Sequence, residues 1–111
     1  DWKFGVSSIM ATPLPGNARA TLRFYGLDDD VTGFNVTNLS APLGQRLERS
    51  AAVVRYGADE PEFASIDVTE LLDPHQPTTL RIYTYPEYAR YWAMLTITDN
   101  DTQRFVVFTP Q

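Results

Sequence analysis

The chain contains no cysteine. Neither disulfides nor a thiolate metal site can hold the fold, so packing and backbone pairing must do it. Histidine occurs once, at His75, which excludes a metal cluster built from several imidazoles. A Ser-His-Asp set would have to be built around that one residue. His75 lies between Pro74 and Pro77 in a turn-like segment, and no serine stands in a Gly-x-Ser-x-Gly elbow. Lysine also occurs once, at Lys3, and the other basic residues are arginines, whose planar forks suit fixed bidentate contacts. Long apolar runs are missing too. The best candidate, Trp92 to Leu95, falls far short of the ~20 residues that a membrane-spanning helix needs. Positive charge is in deficit, with 9 basic against 14 acidic residues and a net charge of −5, so no basic face is offered to a nucleic-acid backbone.

What is present suits one globular domain. With 111 residues, 43% of them hydrophobic and 21% charged, residues 1–111 read as a single domain able to fold without a staple. From the Asp1 start, a processed product or an excised part of a longer chain is expected. Three Asn-x-Ser/Thr triplets occur, at Asn35, Asn38 and Asn100, which only a eukaryotic secretory route would glycosylate.

Period two organises the chain. Ala18, Ala20, Leu22 and Phe24 alternate with Arg19, Thr21, Arg23 and Tyr25, the pattern of a strand with one buried and one solvated face. Similar runs are expected at Trp2–Val6, Phe34–Leu39, Ala51–Tyr56, Phe63–Val68, Thr79–Tyr85, Tyr91–Thr98 and Arg104–Thr109. Pro, Asn and Asp clusters separate them, and the connections are too short for crossover helices. The fold class is therefore all-β: an antiparallel sandwich of about eight strands, jelly-roll or Ig-like.

One segment breaks the alternation. Asp67 is followed three residues later by Glu70, the spacing of a capping box, and Pro74 then ends the element. The pattern predicts one short helical turn near 67–72, with Leu71 and Leu72 plugging the core. The run Ile66–Leu72, followed after a proline-containing turn by Leu80-Arg81-Ile82, resembles a strand–turn–strand pattern of jelly-roll sandwiches, carbohydrate-binding ones included. That resemblance implies architecture and no particular ligand.

Two constellations carry chemical interest. Asp28, Asp29 and Asp30 put three carboxylates on one loop, a partial shell for Ca²⁺ if Asp59, Glu60 or Asp101 joined them, although an EF-hand spacing is absent and a solvated turn explains them as well. The second is aromatic. If Leu80, Ile82, Leu95 and Ile97 face the core, then Arg81, Tyr83, Tyr85, Arg90 and Trp92 are expected to lie together outside, with Tyr88 in the connection between them. Tyr, Trp and Arg dominate interface hot spots, and flat aromatic rings also stack on sugars. The terminal runs Trp2–Val6 and Phe105–Phe108 could pair with neighbouring subunits as edge strands.

A glycosidase needs only two carboxylates, but most acidic residues here fall in turns, and short strands leave little chain for a cleft wall. The reading is a domain that is not an enzyme and needs no cofactor. It would be a recognition or assembly module on a larger extracellular, fimbrial or viral-capsid-type structure, at a cell or virion surface. Its partners would be copies of itself, a glycan or a protein receptor, with no nucleic acid and no membrane insertion. The alternatives are a carbohydrate-binding accessory domain of a larger enzyme and a small secreted inhibitor or binding protein.

Overall fold

A computed structural model describes residues 3–4, 7–25, 32–42, 44, 47–52, 63–85 and 90–110. Its described elements are strands, with one short 3₁₀ turn. In chain order the strands are β1 (Lys3–Phe4), β2 (Ser7–Ala11), β3 (Ala18–Tyr25), β4 (Gly33–Asn38) and β5 (Glu48–Ala52). They continue with β6 (Phe63–Asp67), β7 (Thr78–Tyr85), β8 (Arg90–Asp99) and β9 (Phe105–Phe108), with the 3₁₀ turn over Thr69–Leu71.

Two antiparallel sheets result. The front sheet runs β1-β8-β3-β6, with β9 also on β8, and the back sheet runs β2-β7-β4-β5. The first strand pairs with the eighth, the second with the seventh, the third with the sixth and the fourth with the fifth. This is one long antiparallel ribbon rolled on itself, closed by the β3–β8 and β4–β7 pairings. The order is that of a jelly roll and not the ABED and CFG order of an Ig sandwich.

Alternation sorts the residues as expected. Ala20, Leu22, Phe24, Tyr91, Ala93, Leu95 and Ile97 of the front sheet meet Ile9, Ala11, Phe34, Val36, Leu80 and Ile82 of the back sheet in one core. Phe24 and Phe34 touch across the sheets with ring centroids 4.0 Å apart, and Tyr91 lies 5.9 Å from Phe24. Full burial of side chains of this size stabilises by about 1.5–3 kcal/mol each before entropy is counted. Tyr91 carries its polar tip inward, where its hydroxyl hydrogen-bonds the Ser7 hydroxyl at 2.5 Å. Burial pushes the Tyr91 phenol above its ordinary value, and the Ser7 bond partly offsets this.

The expected helical turn is present, and Leu71 and Leu72 are buried as plugs. Asp67 Oδ1 accepts from the Thr69 N–H at 2.8 Å, which with the Thr69 hydroxyl holds its carboxyl below the usual range. The expected capping box does not form: Val68 is the N-cap and has no side-chain cap bond, and Glu70 turns outward to pair with Arg49 of β5. Two strand expectations change. Ser7–Ala11 forms a strand that is not among the expected runs, and the fifth strand begins at Glu48, before the expected Ala51. The rest of the Ala51–Tyr56 run, from Val53 on, lies outside the described residues.

Candidate functional site

The outer face of the back sheet carries a hydrogen-bonded polar network centred on Asn35. Directly opposed residues share a face, so Ser8, Arg81, Thr37 and Glu48 form one outward row and Tyr83, Asn35 and Ser50 the next. Asn35 is only 9% exposed although it points away from the core. Its Nδ2 donates to Ser50 Oγ at 2.8 Å and to Glu48 Oε2 at 3.3 Å, and its Oδ1 accepts from the Thr37 hydroxyl at 2.8 Å. Tyr83 and Tyr85 stand beside this network in an edge-to-face pair, centroids 5.4 Å apart. Gly33, opposite Tyr85, is buried on the outward side, the placement in which an aromatic neighbour covers a strand glycine.

This arrangement also occupies two of the three sequons. The Asn35 amide is committed as described, and Asn38 Nδ2 donates to the Leu71 carbonyl at 2.8 Å while its Oδ1 accepts from the Ser40 N–H. A glycan on either asparagine would displace those bonds.

The aromatic residues expected to gather outside are divided between two surfaces. Arg81, Tyr83 and Tyr85 belong to β7 in the back sheet, whereas Trp92 belongs to β8 in the front sheet. Both strands face the core with the expected residues, and for that reason their outer faces look in opposite directions. Trp92 instead meets Tyr25 of β3, centroids 5.5 Å apart, on the outer side of the front sheet. Arg90 opens β8 opposite Phe4, but its side chain, Tyr88 and Asp28 to Asp30 lie outside the described residues. Among the described residues no group of three His, Asp or Glu side chains is placed to hold a metal. His75 is exposed, in a turn whose backbone N–H donates to Asp73 Oδ1 at 2.7 Å. No described helix is long and apolar enough to cross a membrane.

The most exposed apolar group lies elsewhere, on β9. Phe105 is 64%, Val106 53% and Val107 43% exposed. β9 pairs with β8 through Leu95–Phe108, Thr96–Val107, Ile97–Val106 and Thr98–Phe105, and no described strand flanks its other side. Since the Arg104 carbonyl accepts from Asp99 N–H at 2.8 Å, alternation directs the N–H and C=O groups of Phe105 and Val107 away from β8.

The turn leading into β9 is firmly held. Asp99 Oδ1 accepts from the N–H groups of Asp101 and Thr102 at 2.8 and 3.0 Å, which holds its carboxyl below the usual range. Arg19 clamps Asn100 Oδ1 at 2.7 Å and Gln103 Oε1 at 3.0 Å, and Asn17 donates to Asp101 at 2.7 Å. Gln103 adopts a left-handed φ of 61°, an uncommon state for a residue with a side chain, secured by these bonds and by its Nε2 donating to the Asn100 carbonyl. The edge is thus presented by a fixed hairpin.

Compared with protein families, with curated proteins and with solved structures, the chain matches none.

Proposed function

We propose that this domain is a non-enzymatic assembly and recognition module that associates with copies of itself. The observation that carries the reading is β9, an edge strand with exposed apolar side chains on both faces and outward backbone groups that lack a neighbouring strand among those described. Natural sandwiches guard such edges with charge, proline or bulges, because an open apolar edge recruits another strand. Here the residues of β9 carry none of these devices. A place on a larger extracellular, fimbrial or capsid-type structure accords with this, as does the absence of a sequence-level catalytic set.

Light scattering coupled to size-exclusion chromatography tests the reading. A concentration-dependent dimer or larger assembly is expected, reverting to monomer in Val106→Lys. A strict monomer at the highest soluble concentration overturns it.

A second reading has its own support, the Tyr83–Tyr85 pair beside Arg81 and the Asn35 network. One cationic and one anionic side chain, Arg81 and Glu48, share that row, which suits a neutral polyhydroxylated ligand more than a strongly charged one. On this reading the chain is a carbohydrate-binding domain, self-standing or accessory to an enzyme. A glycan array is the check: binding lost in Tyr85→Ala supports it, and a blank array removes it.

A further inference from the structure

We infer that two copies of this chain join through β9 in one defined register, antiparallel, with Val106 on the two-fold axis. The inference rests on the assembly reading and gives it a geometry.

Symmetry limits the choices. Two identical edges that continue one sheet antiparallel are related by a two-fold axis perpendicular to that sheet. Opposed residues then point to the same face, so the axis must pass through a residue and not between two. Val106 and Val107 are the two central positions of β9.

With Val106 on the axis, Phe105 of each copy stands opposite Val107 of the other, and Val106 meets Val106. The three most exposed apolar residues of the strand become one another's partners. The backbone agrees. Phe105 and Val107 are the residues whose N–H and C=O groups face outward, so the two Phe105–Val107 pairs each exchange two hydrogen bonds, and Val106–Val106 is the close, non-hydrogen-bonded pair between them. With Val107 on the axis, Phe105 would instead face the polar Thr109, and less of the exposed apolar surface would be covered.

Charge permits the same register. β9 itself is uncharged, and the nearest cation is Arg104. The two Arg104 residues would stand opposite Phe108 of the other copy, about 14 Å apart along the strands at ~3.4 Å per residue. That exceeds the screening length of ~8 Å at physiological ionic strength. The occupant of this edge is therefore a second copy, whose exposed residues complement those already there.

The absence of cysteine supplies the test, since one introduced thiol is the only thiol. Cα atoms of a non-hydrogen-bonded antiparallel pair lie about 4.5 Å apart, within disulfide reach. In this register Phe105 and its own copy are offset by two residues, as are the two Val107 residues, which puts them roughly 8 Å apart and out of reach. Three variants, Val106→Cys, Phe105→Cys and Val107→Cys, are mildly oxidised and run on non-reducing gels, with light scattering of the reduced forms alongside. Near-complete cross-linking of Val106→Cys alone is expected. Cross-linking of Val107→Cys in its place overturns the register and leaves the assembly reading standing. A reduced dimer in which none cross-links shows that association uses another surface, and this inference falls alone. Reduced monomers throughout overturn both.

Discussion

β5 and β9 are both edge strands of the same roll, and they handle the edge in opposite ways. β5 closes the back sheet with Glu48, Arg49 and Ser50, and each of these side chains has a named partner: Glu48 and Ser50 take hydrogen bonds from Asn35, and Arg49 pairs with Glu70. β9 lies on the front sheet with Phe-Val-Val-Phe and a fixed hairpin behind it. Unsatisfied side-chain groups are not what distinguishes the two, because no buried side-chain nitrogen or oxygen among the described residues lacks a partner. The difference is in the backbone edge and the apolar surface around it. One edge carries charge and a satisfied network, and the other is apolar with no described strand beside it, as a joining surface requires.

The largest expected effect comes from removing the centre of the protected side. Asn35→Ala takes away the group that links Thr37, Glu48 and Ser50, and Thr37 is itself buried. A buried polar group left without its partner costs about 1–3 kcal/mol. In a domain of this size each kcal/mol lowers Tm by roughly 4–8 °C. Calorimetry should show that fall, while light scattering shows association unchanged. Parental stability in Asn35→Ala would mean that the network does not close this side, and the comparison of the two edges would fail.

Much of this division was legible in the sequence, and the illegible part has a physical cause. Period two identified the inward residues of β3, β7 and β8, because alternation directly reports which face a side chain takes. It also marked Phe105–Phe108 as an edge candidate. It carries no information about which sheet a strand joins, since partners are set by contacts distant in sequence. That is why Tyr85 and Trp92 could be assigned outside and still prove to lie on opposite surfaces. Ser7–Ala11 was missed for a related reason: Ser7 is an inward residue that a polarity pattern reads as outward, and only Tyr91 on the facing sheet makes it acceptable there. The Asn35 network was equally hidden, because its members come from β4 and β5 and become neighbours only through register.

A smaller effect is expected at Tyr91, which belongs to the core that both edges share. Tyr91→Phe leaves the Ser7 hydroxyl without this partner and should cost about 1 kcal/mol at neutral pH. The pH dependence is more diagnostic. Burial raises the Tyr91 phenol above 10.0, so its contribution is fully present below pH 10.0 and lost as pH rises through the raised value. Urea unfolding above pH 10 should therefore bring parent and Tyr91→Phe closer together, and a constant gap would refute the assignment. At the acid end, Asp67 and Asp99 are held below 3.8, so stability present above that pH should decline as it falls further. Asp67 lies in neither β5 nor β9, so its titration should leave the dimer fraction unchanged, whereas Asp99 holds the turn that presents β9.

The smallest change in stability is expected where the charges of β5 are removed. The Arg49–Glu70 pair is solvent-exposed, and exposed pairs contribute about 0–1 kcal/mol, less in high salt. Valine also suits a strand well. The double variant Glu48→Gln, Arg49→Val removes both charges but keeps a side-chain oxygen for the Asn35 amide, so it should unfold within about 1 kcal/mol of the parent. Its association should change far more. With both charges gone, β5 resembles β9, and a molecule with two open edges on different sheets can build chains where one edge closes a dimer. Light scattering should then show species larger than the parental assembly, growing with concentration. If the double variant keeps the parental state, charge is not what guards β5, and the contrast with β9 must rest on the apolar side chains of β9 alone.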